Sequence, residues 1–373
     1  MGADGLPRRA APVFQGALGG SATLSDPVVL KEGRRCRVVR CRVAQAQGKI
    51  PSVILKEMRE ESARGFSDWA SLAFLSGLPE ARNVAPRFYA GDVAGRFFLM
   101  EDLGEGTALH DFLAGADSTA SRAALRALAS QMGCLHAATL GKEEAFEKIR
   151  RGLPGAEEVG RHVEAAAWLG NRGKLLAWFE ALGCAPPSGF DTCLEHVAES
   201  YRQPGGYLAM THGDPAPTNN HFTPNRAYLL DFEYGGFRHA LYDITAWTIL
   251  CPLPSVDARE MRQVFQRELA KACPEARDEE RFGREWALVC AYRALALLTW
   301  MPPDIVGRNR PWADNWTMRE AALVAMSRLE EIAGPVAPLE AAGKAAGALA
   351  RAMRRQWPEL GEAESLPKWP GLG

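Results

Sequence analysis

The segment THGDPAPTNN, residues 211–220, carries one carboxylate, Asp214, with a histidine two residues before it and an amide, Asn219, five residues after it. A hydroxyl attacking phosphorus needs an acceptor for its proton and a fixed line of approach. Its transition state is loose, so placement counts for more than covalent help. Asp214 suits that acceptor role, and Pro215 and Pro217 each fix a φ angle around it before any substrate arrives. A second acid, Asp231, ends the short apolar strand AYLLDFE at 227–233. Magnesium prefers hard oxygen ligands, so the Asn219 amide oxygen and the Asp231 carboxylate would complete a clamp on nucleotide phosphates. Taken alone, an aspartate in a Pro/Asn loop is a turn former. An acid ending an apolar run for no packing reason makes the pair read as chemistry.

A cation belongs with them. In SVILKEM, residues 52–58, Lys56 shares one strand face with Ile54 and Met58, which aims a lysine from an apolar surface into a cleft. Other chemistries fail by inspection. There is no GxSxG elbow, and His212, His221 and His239 lack the helical pair spacing of a zinc hydrolase. The GxG of MEDLGEG, residues 100–106, lacks a third glycine and reads as a plain connector.

HGDPAPTNN followed by LLDFEYGG resembles the aminoglycoside phosphotransferase family, whose relatives include choline-type kinases and, more distantly, protein kinases. The likeness extends to SVILKEM, to FFLMEDLGEG as a lobe hinge and to YDITAW, so it spans residues 28–250. It implies Asp214 as catalytic base, Asn219 and Asp231 as magnesium ligands, Lys56 as phosphate contact, and the backbone of Glu101 and Leu103 against a purine edge. Where the family's helix supplies a glutamate to the lysine, RGFSDWASL offers Asp68, with Glu60 or Glu61 as fallbacks. The phosphate-covering turn, KEGRR, holds Gly33 alone, so phosphate contacts fall to backbone near Gly33 and to side chains such as Arg34 or Arg35. His212 and Asp243 read as loop anchors. Glu233, beside the metal ligand, would face the acceptor and favour an amine. A protein kinase is disfavoured, because Gly213 stands where those enzymes carry arginine and nine residues between Glu233 and Asp243 leave no activation loop.

These residues need elements to position them. Up to residue 103 the runs VVL (28–30), CRVVRCRVA (36–44), SVILKEM and GRFFLM (95–100) predict a small antiparallel sheet, interrupted by one helix over GFSDWASLAFLSGL with Ser67 or Asp68 as its cap. GALGGSA, residues 16–22, reads as a flexible lead-in. From Leu109 onward the pattern is helical, apart from the strand at Asp231, and the tail ESLPKWPGLG reads as loose. The expected fold is therefore α+β: a bilobal, protein-kinase-like chain with an N-lobe over 1–103 and a mainly helical C-lobe over 104–373.

Charge and composition narrow the partners. The 373 residues carry 44 basic and 45 acidic side chains, so nothing points to nucleic acid or an anionic membrane. Eight cysteines without paired spacing read as reduced thiols, and the N-terminus has no apolar leader, which together read as cytoplasmic. The expected function is transfer of the terminal phosphoryl of ATP or GTP, with Mg2+, to a small-molecule hydroxyl. The alternative is a nucleotide-binding pseudoenzyme or regulatory module. Residues 141–210, expected to line the acceptor pocket, hold ten acids and eight bases, which announces no polycationic acceptor.

Overall fold

The computed structural model describes residues 5–18, 21–45, 50–59, 63–156, 160–251, 253–313, 316–360 and 369–372. The chain divides into two compact units. One comprises Met1–Thr107, Glu144–Val159 and Asn219–Gly235, the other Ala108–Glu143, Gly160–Thr218 and Gly236–Gly373. The class is mixed α+β, as the sequence implied.

The first unit is built on five antiparallel strands, β1 (Ala22–Glu32), β2 (Cys36–Gln45), β3 (Ser52–Met58), β4 (Phe88–Asp92) and β5 (Phe97–Glu101), in the order β1-β2-β3-β5-β4. Successive side chains of a strand point to opposite faces, and β3 is apolar on both. Val53 and Leu55 join Val39, Cys41, Phe97 and Leu99 in one core cluster, closed by Leu6, Ala10 and Phe14 of a helix, α1 (Gly5–Leu18). These three α1 residues recur every fourth position and form one helical face. The other face is covered by α2 (Ala63–Ser76), whose Trp69 ring lies 5.6 Å from Phe88 and 6.0 Å from Phe98. Gly91 of β4 is required there, since a Cβ would come within 2.3 Å of the Trp69 ring. A hairpin, β7 (Asn220–Thr223) and β8 (Arg226–Leu229), belongs to the same unit, tied to it by Leu229 N–H donating to the Val84 carbonyl at 2.8 Å.

The second unit is helical around one antiparallel pair, β6 (Leu208–Thr211) with β9 (Gly236–His239). Its helices are α3 (Leu109–Ala114), α4 (Ser118–Thr139), α6 (Arg161–Gly170), α7 (Arg172–Ala181), α8 (Phe190–Arg202), α9 (Tyr242–Ile249), α10 (Ser255–Leu269), α11 (Glu279–Trp300), α12 (Pro303–Gly307), α13 (Met318–Ala333) and α14 (Glu340–Gln356), while α5 (Glu143–Arg150) belongs, from its second residue on, to the first unit. Asp117 and Asp278 cap α4 and α11, each carboxylate accepting two N–H groups of the first turn at 3.0 Å. α11 is buried over most of its circumference, the signature of a helix surrounded by others. Among the described residues no helix is long and apolar enough to cross a membrane, and all eight cysteines are free thiols.

Four expectations change. Residues 16–18 of the supposed lead-in end α1, and Ala22 opens β1. Ser67 and Asp68 lie inside α2 and cap nothing; both are buried. A fifth strand, β4, was hidden in PRFYAGD by its proline and glycine. The tail is packed where it is described: Trp369 is 1% exposed, its ring edge-on to His110, and Arg122 donates to the Leu372 carbonyl at 2.9 Å. Residues 364–368, like Glu60 and Glu61, lie outside the described residues.

Phe14→Ala removes the largest side chain of the α1 face and is expected to cost about 3–5 kcal/mol in urea unfolding, against under about 0.5 kcal/mol for Leu18→Ala at the exposed end of the helix.

Candidate active site

Lys56 leaves β3 toward α2 rather than toward α1, because its register opposite Val38 and Phe98 fixes which face it takes. Its side chain is 8% exposed, and its ammonium donates to Asp68 Oδ2 and to Asp231 Oδ1, each at 2.6 Å. Asp68 is therefore the helix acid that meets the lysine, although it is one methylene shorter than glutamate. Burial works against the Lys56 charge, but the two carboxylates outweigh it and push the ammonium well above its ordinary range. Asp68 moves up as well, since burial and the like charge of Asp231 exceed the pull of Lys56.

The second oxygen of Asp68 orders the chain beyond the hairpin. It accepts the N–H of Phe232 at 2.9 Å, and the Phe232 ring is fully buried. Between these fixed points Asp231 adopts φ +66°, a left-handed backbone that a side chain other than glycine rarely takes. Gly235 closes the segment. Its N–H donates to the Phe232 carbonyl at 2.8 Å, and a Cβ there would lie 2.3 Å from Ser71 Oγ. Leu230 N–H donates to the Asn219 carbonyl at 3.0 Å, tying the two ends of the hairpin together.

Two further cations reach the same acids: Lys31, which the sequence reading missed, and Arg35, which it named for phosphate rather than for an acid. Lys31 Nζ stands 3.8 Å from Asp231 Oδ2, and Arg35 Nη1 donates to Glu233 Oε1 at 2.8 Å. Burial and the neighbouring Asp231 push the Glu233 carboxyl up, against Arg35, Lys56 and Arg64. Gly33 turns the β1–β2 connection, donating to the Cys36 carbonyl at 3.0 Å, and Arg34 is exposed beside it. The structure thus brings Lys56, Asp68, Asp231 and Glu233 together within the first unit, with Arg35 as the turn residue that joins them.

At the end of β5, Glu101 N–H is committed to the Arg87 carbonyl at 2.8 Å. The backbone of Leu103, two residues on, makes no hydrogen bond with any described residue. Asp102 between them accepts from Ser52 at 2.7 Å and from Arg40, which fixes the connector and, despite the cost of burial, holds its carboxyl below the ordinary range.

Asp214 lies in the second unit, on the loop that leaves β6. Gly213 before it takes φ +86°, a conformation that favours glycine, and Asp214 N–H donates to His212 Nδ1 at 3.3 Å. His212 is fully buried. The loop is anchored by Asp243 in the first turn of α9, which accepts the N–H groups of His212 at 2.7 Å and Gly213 at 2.9 Å and meets His136 Nε2 at 3.0 Å. Burial raises the Asp243 carboxyl, but these donors win and hold it at about 2. Downstream, His110 N–H donates to the Pro217 carbonyl at 3.0 Å. His136 carries no motif signal and was legible only once α4 and α9 were packed.

The family model of the phosphotransferase enzyme family, APH, matches residues 60–286. Among solved structures, macrolide 2'-phosphotransferase MphH from Brachybacterium faecium is 16% identical, with 86% of this chain and 98% of that one covered and a TM-score of 0.48. A choline/ethanolamine kinase family protein from Mesorhizobium loti is 16% identical over 86% and 92%, at 0.45, and the streptomycin–ATP complex of APH(2")-IIa is 13% identical over 82% and 97%, at 0.43. No curated protein matches this chain.

Because the folded Asp243 carboxyl sits at about 2 against an ordinary 3.8, its stabilisation is complete above about pH 5 and is lost as pH falls through about 2. Asp243→Asn is expected to cost about 2–3 kcal/mol at pH 7, and the gap to the parent should narrow steadily below about pH 4 in urea titrations.

Proposed function

The chain belongs to the phosphotransferase enzyme family, and from that premise we propose that it transfers the terminal phosphoryl of ATP or GTP to a hydroxyl of a small molecule. The observation that carries the reading is the buried Lys56 ammonium shared by Asp68 and by an Asp231 held in a left-handed backbone. A permanently charged lysine beside a carboxylate whose backbone is strained into place supports recognition of phosphate oxygens.

In this reading Asp214 accepts the acceptor's hydroxyl proton as its oxygen bonds to the terminal phosphorus and the bond from that phosphorus to the bridging oxygen breaks. The nucleoside diphosphate leaves with the bond's electron pair. Lys56 orients the nucleotide phosphates, and Arg35 and the Gly33 turn cover them where a glycine-rich loop is lacking. Asn219 and Asp231 both offer oxygen donors, the type a hard divalent cation demands, so magnesium bound by them would neutralise charge on the phosphates. The Glu101 carbonyl and the Leu103 N–H offer an acceptor and a donor to a purine edge.

Asp214→Ala and Asp231→Ala separate these roles. Both should lower turnover, Asp214→Ala by about 10²- to 10⁴-fold, but only Asp231→Ala should also weaken magnesium-dependent nucleotide binding measured by calorimetry. Normal turnover by Asp214→Ala would remove the assignment of the base.

Glu233 is assigned to an acceptor amine, which would compete with Arg35 for the carboxylate. Glu233→Gln should then reduce activity on amine-bearing acceptors and spare neutral ones; equal loss on both would assign Glu233 to Arg35 alone.

A further inference from the structure

Arg293 interrupts the apolar stretch WALVCAYRALALLTWM, residues 286–301, and phosphoryl transfer as described makes no use of it. α11 carries it into the second unit, where it is 2% exposed. Its guanidinium carbon stands 4.0 Å from the centroid of the Tyr242 ring. It makes no hydrogen bond or ion pair with any described residue, and its Nε is wholly buried.

The nearby carboxylates make their hydrogen bonds elsewhere, although the Arg293 charge, after Arg238 and Tyr201, still helps hold Glu164 below its ordinary range against burial. Glu164 of α6 accepts from Arg238 Nε at 2.7 Å, from Arg238 Nη2 and from the Tyr201 hydroxyl. Asp243 is occupied by His136 and by the N–H groups of His212 and Gly213. Tyr201 lies parallel to Tyr292 at 3.9 Å, and Trp168 stacks on Tyr292 at 5.2 Å with its own Nε1 buried and without an acceptor among the described residues.

Removing a guanidinium from water without a hydrogen-bonding acceptor is strongly unfavourable, and a cation–π contact and the through-space pull of Glu164 offset only part of that cost. A charge retained against it is best explained by a partner from outside the fold. We propose that Arg293 is the anion-recognition residue of the acceptor site, so that the molecule receiving the phosphoryl group bears a carboxylate or phosphate beside its hydroxyl. This rests on the phosphotransferase reading. The position fits: Tyr242, under the guanidinium, directly precedes Asp243, which anchors the loop carrying Asp214. Glu164 is 29% exposed, so the cluster meets solvent on the α6 side. The Arg293 fork matches a carboxylate or phosphate with two parallel N–H donors, a geometry lysine cannot reproduce.

The test uses three two-carbon alcohols, glycolate, 2-hydroxyethyl phosphate and glycolamide, titrated by ligand-observed NMR into the full chain and into Arg293→Met and Arg293→Lys. One of the two anions should bind at least about tenfold more tightly than glycolamide, and which one names the anion. That preference should vanish in Arg293→Met and be reduced in Arg293→Lys. Without ligand, Arg293→Met should melt at a higher temperature than the parent, since a buried charge without a partner is replaced by an apolar side chain. Equal or absent binding of all three probes, a preference surviving in Arg293→Met, or a lower melting temperature for that variant would overturn the proposal. Because binding needs no turnover, Asp214→Ala should retain the preference. An inactive chain that still prefers the anion would defeat the phosphotransferase reading while leaving the anion site standing.

Discussion

One buried ammonium governs the first unit. Lys56 is nearly sealed from water, and an uncompensated charge there would cost several kcal/mol, so the fold has to deliver carboxylates to it. That requirement sets the register of β3, which decides the face Lys56 takes. It sets the placement of Asp68 in the middle of α2, where a buried acid would otherwise be disfavoured. It also sets the strained backbone of Asp231, whose neighbour Phe232 is held by the other oxygen of Asp68. A nucleotide phosphate arriving at Lys56 would meet a cation already oriented, with little left to order on binding.

The second unit repeats the device with the signs reversed. Asp243 is a buried carboxylate satisfied by two backbone N–H groups and a histidine, and what it orders is the backbone immediately before Asp214. A loop proposed to carry a base must not wander: Gly213 supplies the left-handed turn, Asp243 holds its N–H, and Pro215 fixes the φ that follows Asp214. Thr211 extends the support, its hydroxyl donating to the Gly236 carbonyl at 3.0 Å and accepting from Arg238 at 2.9 Å. Both units thus use a buried charge for positioning, and Arg293 stands out because no hydrogen bond or ion pair within the described residues answers it.

The parts legible in the sequence were those with a short-range signature. Lys56 showed through the alternation of one strand, Asp214 and Asn219 through a proline-stiffened loop, and Asp231 through an acid at the end of an apolar run. Asp68 was found by resemblance and mistaken for a cap, because a mid-helix aspartate looks like a helix start unless its partner on β3 is known. α1 was missed because Pro7 and Pro12 argue against a helix, while its purpose, covering the second apolar face of β3, is visible only from the sheet. Lys31 and His136 have no local pattern at all, and Arg35, named from its turn, has none that points to Glu233; long-range packing creates these contacts. Leu103 is the opposite case, since the role proposed for it falls to its backbone and its side chain says nothing.

These charges are proposed to serve phosphoryl transfer. That role is tested most directly by measuring magnesium-dependent release of ADP or GDP in the presence of pooled small-molecule acceptors, with amino alcohols, hydroxy acids, sugars, nucleosides, aminoglycosides and macrolides in separate pools. Phosphoryl transfer requires release that depends on one pool and on Asp214. Nucleotide binding through Lys56 without Asp214-dependent release in any pool would contradict it, and would make the chain a nucleotide-binding module that retains the charges without the reaction.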